Sequence, residues 1–150
     1  MDSEQVARLR AIIGRLAREL NDTSTGADLT PTQYSVLALV HVRGPIGLTE
    51  LTELEGLNPT MLSRIVKVLD ERGLIVRLPD PNDLRAARVA ATEQGARVHE
   101  HIREQRTRVL AECLERLPAQ TADQLLAAVP AMEALAEAVR LPARAARDSR

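Results

Sequence analysis

Aromatic side chains are almost missing from this 150-residue chain: Tyr34 stands alone, with no Trp and no Phe. Single-strand binding by stacked rings needs several ring platforms, so that mode is disfavoured, as is a catalytic pocket with aromatic walls. Cysteine is as scarce. Cys113 alone permits neither an internal disulfide nor a cysteine-based zinc site within one chain. An excess of either charge is absent too: 20 Lys+Arg stand against 21 Asp+Glu, a net charge of -1. A polycation or polyacidic tail is excluded, and any nucleic-acid contact must rest on local charge. Lys67 is the only lysine, so Arg carries nearly all the positive charge. No apolar run is long enough for a bilayer, and the polar start Met1-Asp2-Ser3-Glu4-Gln5 does not resemble a signal peptide, so a cytoplasmic protein is expected. There is no glycine-rich phosphate loop, nucleophile elbow or carboxylate pair, and His41, His99 and His101 form no metal spacing. Neither an enzyme, nor a cofactor, nor a metal is expected.

What is present is helical periodicity. Val6, Leu9, Ile12, Ile13, Leu16 and Leu20 recur at three- and four-residue steps, with Ser3 as the expected cap. After a polar loop, Thr30, Pro31 and Gln33 spell a capping box with proline in the first turn, and Leu29 and Tyr34 occupy the staple positions. That helix stops at Gly44-Pro45. A short helix over 48–55 follows, with Leu51 and Leu54 inward. Gly56 then permits a tight turn before Asn58-Pro59 opens another helix, which ends ahead of Gly73. Its inward stripe is Leu62, Ile65, Val66 and Leu69, so Thr60, Ser63, Arg64 and Lys67 share the solvent side.

Period two takes over at 74–78, with a turn-rich tip at 79–83 and a weaker strand at 85–91: a β-hairpin. A long helix is expected from Thr92 to about Leu117, closed by Pro118. A capping box at Thr121–Gln124 opens a last helix that Pro130 should kink or break. The Ala/Arg-rich end from Pro142 carries no stripe and is expected to be disordered. The expected organisation is an N-terminal dimerisation helix and loop (1–29), a winged helix-turn-helix (30–92), C-terminal dimerisation helices (93–141) and a tail (142–150). The fold class is mainly α, with about six helices and a two-stranded wing.

The stretch Asp80-Pro81-Asn82-Asp83-Leu84-Arg85-Ala86-Ala87-Arg88-Val89, followed by Thr92-Glu93-Gln94-Gly95, resembles the wing of the MarR (multiple-antibiotic-resistance regulator) family. Leu69-Asp70-Glu71-Arg72-Gly73-Leu74-Ile75 resembles that family's recognition-helix exit, and Leu51 with Gly56 fits the helix and turn before it. Leu84, where a basic residue is frequent, and Ala91, where a larger apolar one is usual, depart from the pattern. The resemblance implies a sequence-specific regulator of transcription, a ligand-responsive repressor bound as a homodimer to a pseudo-palindromic operator. It places Arg85 in the minor groove, where a narrow groove focuses negative potential, with Asp83 orienting it. The alternative for Arg85 is a surface ion pair with Asp80 or Asp83.

A helix in a major groove needs short donors and arginine, and Thr60, Ser63, Arg64 and Lys67 supply them for base edges or phosphates. Asn58 and Pro59 set the helix entry and free amides that can meet a phosphate. Arg88 either touches phosphate or braces the hairpin. Across 58–92 six basic and four acidic residues leave +2, while Glu50, Glu53 and Glu55 make the short helix acidic. Modest charge per chain makes a dimer important, its two recognition helices about 34 Å apart along the duplex. The resemblance also implies a small aromatic or phenolic effector near Tyr34, His41 and Arg43, residues for which packing or solvation is the other explanation. Cys113, on an apolar stripe, reads as packing rather than as a peroxide switch. A protein-interaction dimer on a degenerate winged fold, docking through the acidic helix and having no operator, is the alternative function.

Overall fold

The computed structural model describes residues 2–22, 28–83 and 85–148. The chain divides into two compact units, Met1–Arg108 and Val109–Arg150. The boundary falls inside a helix, Glu93–Glu115.

In the first unit, α1 (Ser3–Asp22) is followed by α2 (Pro31–Arg43), β1 (Ile46–Gly47), α3 (Leu48–Glu55) and α4 (Pro59–Glu71). Then come β2 (Ile75–Pro79), β3 (Ala87–Ala91) and α5 (Glu93–Glu115), whose last residues enter the second unit. α2 starts as its sequence dictates: the Gln33 amide donates to Thr30 Oγ1 at 3.2 Å, and the Thr30 amide donates to Gln33 Oε1 at 3.0 Å. α1 does not. Its cap is Asp2, whose Oδ1 accepts the Glu4 amide at 2.9 Å, and Ser3 is already helical. A carboxylate one residue upstream competes for the same amides, and periodicity cannot separate the two.

One apolar core joins α2, α3, α4 and the three strands. Val36, Leu37 and Val40 of α2, Leu51 of α3, and Leu62, Ile65, Val66 and Leu69 of α4 bury one cluster with Ile46, Leu74, Ile75 and Val89. The turn between α3 and α4 depends on Gly56, at φ 67° in the left-handed region that other residues enter only with strain. Antiparallel β2 and β3 pair from Ile75↔Ala91 to Pro79↔Ala87. A third strand was not anticipated: Ile46 pairs with Val89 and Gly47 with Arg88, giving the order β1-β3-β2. Two residues are too few for a period-two signal.

Thr92 joins the sheet to α5: its Oγ1 accepts the Gly95 amide at 3.0 Å and donates to the Gly73 carbonyl at 2.6 Å. Gly95 is required there, because a Cβ would overlap the Leu74 carbonyl.

The second unit holds the end of α5, α6 (Ala119–Ala127) and α7 (Val129–Asp148). The expected break at Pro130 is present: the helix is interrupted at Ala128, and Pro130 falls in the first turn of α7. Thr121 is not the cap, because α6 already starts at Ala119 after Pro118. The backbone of α7 continues to Asp148, past Pro142, where a disordered tail was expected. Residues 149 and 150 lie outside the described residues.

Candidate nucleic-acid interface

The Asn58 side chain accepts the Met61 amide at 2.8 Å, and Pro59 fills the first turn of α4. The buried stripe fixes the rotation of the helix, and Thr60, Ser63, Arg64 and Lys67 are all exposed. Lys67 lies 3.8 Å from Glu71, with 71% and 63% of the two side chains accessible. Such a pair is worth under about 1 kcal/mol and is readily exchanged for a phosphate. Sequence reasoning did not pair Lys67 with Glu71, one turn on, and it passed over Met61, an apolar side chain standing 49% exposed beside Thr60.

The wing tip is held by its own acids. Asp80 Oδ1 accepts the Asn82 amide and Asp83 Oδ1 accepts the Arg85 amide, each at 2.9 Å. The Ala86 amide closes the loop on the Asp83 carbonyl at 3.0 Å. Both carboxylates therefore serve the loop backbone. Among the described residues no acid pairs with the exposed Arg85 guanidinium. Leu84 lies outside the described residues. Arg77 of β2 stands 3.6 Å from Asp70 of α4, an ion pair that ties the hairpin to the end of the helix.

Arg88 is engaged elsewhere. Its Nη2 donates to the Pro45 carbonyl at 2.6 Å, bracing β3 against the segment after α2. Of the two roles considered for it, the geometry supports the brace.

The effector candidates divide. The half-buried Tyr34 ring stacks on His99 of α5 at 5.7 Å between centroids and 8° between planes. His41 lies 4.6 Å from the same imidazole, tilted by 31°. The Arg106 guanidinium sits 4.1 Å from the Tyr34 ring centre, a cation–π contact. Arg43 is exposed, and no contact ties it to this group among the described residues. His99 and Arg106 were not singled out from the sequence. His99 is buried, its Nδ1 has no hydrogen-bond partner, and burial, then the charge of His41, holds its pKa below the usual histidine value. One turn on, the hydrogen bond from Arg103 holds the Glu100 carboxyl below its usual range. Cys113 is exposed in this chain, not packed as its apolar neighbours suggested.

Short helix, glycine turn, exposed helix and braced hairpin form the arrangement that the family model described as MarR family matches over residues 29–87. Over those residues the chain resembles a MarR-family winged helix. The Salmonella typhimurium multiple antibiotic resistance protein MarR is 36% identical over 83 residues, 55% of this chain and 58% of that protein. The chain thus spans little more than half the length of that relative. A Bacillus subtilis HTH-type transcriptional repressor, MdtR, is 25% identical over 130 residues, 87% of this chain and 82% of its own. The apo crystal structure of wild-type Escherichia coli MarR has a TM-score of 0.71 at 26% identity, covering 84% of this chain and 95% of that one. MarR-family proteins are transcription regulators and not enzymes. Against the MarR pattern, this chain differs at the wing tip, where Leu84 replaces a frequent positive charge and leaves Arg85 as the cation of the turn.

Proposed function

We propose that the chain is a homodimeric regulator of transcription that reads a pseudo-palindromic operator in double-stranded DNA, and that it acts as a repressor by competing with polymerase. The observation that carries this reading is an exposed row of short donors and cations on α4, Thr60, Ser63, Arg64 and Lys67, beside a wing whose Arg85 has no acid partner among the described residues. Arg64 reads a guanine edge from the major groove, Thr60, Ser63 and Lys67 contact base edges or phosphate, and Arg85 enters the minor groove. The Thr60 amide, next to Pro59 in the first turn of α4, receives a phosphate. Arg88 contributes indirectly, by holding the wing.

An aromatic or phenolic effector is the second element of the proposal. The facing rings of Tyr34, His41 and His99 with the Arg106 cation favour a flat ligand carrying an acidic oxygen. Its binding would shift the population away from the DNA-competent form.

Selection of bound fragments from genomic DNA, followed by sequencing, tests the reading. Enrichment of fragments sharing an inverted repeat, bound with an affinity that falls steeply with salt, is the expected result. Recovery of no common sequence, or binding indifferent to salt, would overturn it in favour of a protein-interaction module.

A further inference from the structure

Two imidazoles in contact, one of them buried, are poorly suited to holding two protons. His99 is 8% accessible, and its Nδ1 is enclosed without a hydrogen-bond acceptor. A proton added to that nitrogen would create a buried donor with nothing to receive it. His41, 4.6 Å away, is exposed. The other charged or titratable groups around His99 do not resolve the conflict. From α2 the second neighbour is Tyr34, whose ring stacks on the imidazole. From α5, Glu100 favours the imidazolium, but its carboxylate is bound by Arg103, at 3.0 Å to Nε and 2.5 Å to Nη2. Arg103 itself opposes a charge on His99, and Arg106 adds a further cation at the Tyr34 ring.

The position of the pair gives the conflict a consequence. His41 lies in the last turn of α2, and four residues later the Pro45 carbonyl accepts Arg88 of the wing before Ile46 and Gly47 pair with β3. His99 lies in the second turn of α5, which leaves β3 through the Thr92 cap. The two imidazoles therefore bridge the helix that enters the sheet and the helix that leaves it, with the wing strand between.

We propose that the His41–His99 contact is a proton-operated switch: acidification charges the pair, separates the end of α2 from α5, and loosens the wing from its DNA-reading position. The proposal rests on the DNA-binding reading above and adds a signal to it.

The test uses the full-length protein and a fluorescently labelled duplex recovered by the selection at pH 7.5, titrated at pH 7.5 and at pH 5.5 at constant ionic strength. Wild type should lose affinity by about three- to fivefold, as expected when protonation of one buried imidazole is coupled to release of the duplex. In His41→Gln and in His99→Gln the ratio between the two pH values should fall to about twofold or less. A ring-proton NMR titration of wild type should show His99 titrating below 6.5, the ordinary value, with a change in the Tyr34 ring signals at the same pH. Equal pH ratios in wild type and both variants would overturn the switch, as would a His99 that titrates above 6.5. If His99→Gln does not fold, His41→Gln and the NMR titration decide. Absence of any bound duplex at pH 7.5 would refute the DNA-binding reading itself; binding at pH 7.5 with no histidine-dependent loss at pH 5.5 refutes the switch alone.

Discussion

At Arg85, the backbone is fixed by Asp83 while the guanidinium has no acid to hold it. A side chain so placed contributes little to folding and is available for the proposed groove contact. Arg85→Ala is expected to weaken binding to the selected duplex by about tenfold and to flatten the salt dependence by about one phosphate contact. Fluorescence anisotropy across a salt series measures both, and an unchanged affinity would remove the wing from the mechanism. Asn58 differs in kind, because its side chain caps α4. Asn58→Ala should lose about 1 kcal/mol of stability in urea denaturation, whatever it does to DNA binding. His99 sets a pH dependence of its own. Its imidazole is held below the ordinary value, so the unfolded chain binds more protons in the window beneath 6.5. The stability associated with His99 is therefore complete above that pH and lost as pH falls through it. Urea midpoints should drop less between pH 7.5 and pH 5.5 in His99→Gln than in wild type. The exposed side of α4 was legible from sequence because four apolar positions dictate it. The Tyr34–His41–His99 contact was not, because residues 58 positions apart share no periodic signal and only the fold brings their helices together.

Elements were recognisable where local chemistry is redundant. Thr30, Pro31 and Gln33 each favour the same start of α2, and Pro130 marks the break before α7. Where two side chains could cap one helix, Ser3 was expected and Asp2 does it; α6 starts at Ala119, before Thr121, with no side-chain cap. β1 could not be seen at all, since its pairing is decided by β3, some forty residues away. The joint between wing and α5 gives the sharpest test at this scale. Gly95→Ala pushes a Cβ into the Leu74 carbonyl, backbone that cannot rotate away, and should cost roughly 1–3 kcal/mol. Gly47→Ala is the matched comparison: a Cβ there meets nothing within 4 Å, and its φ of -70° suits any residue. Chemical denaturation should leave the Gly47 variant within about 0.5 kcal/mol of wild type. Equal losses in the two would mean that the close approach of α5 to Leu74 is not what anchors the hairpin.

For the whole molecule, the apolar surface left uncovered in one chain matters most. Val6, Leu9, Ile12, Ile13 and Leu16 form a row along α1, each between 38% and 48% exposed. Independently, α6 and α7 expose Leu125, Leu126, Val129, Met132, Leu135 and Val139. Scattered apolar residues on a surface need no explanation, but continuous stripes on three helices do. A second copy of the chain, as proposed, would cover such stripes economically and would double the proposed phosphate-binding surface, whose charge per chain is small. If these faces build the dimer, Ile12→Glu and Leu135→Glu should each shift the protein from dimer to monomer in sedimentation velocity, while the core around Leu37 and Leu69 keeps the winged unit folded. A monomer reaches only one half-site. Its log–log salt slope should therefore fall to about half that of wild type, because each phosphate neutralised contributes close to one unit of slope. Monomers that kept the full slope would mean that one chain supplies all the phosphate contacts, and the two-fold arrangement of the operator would lose its physical basis.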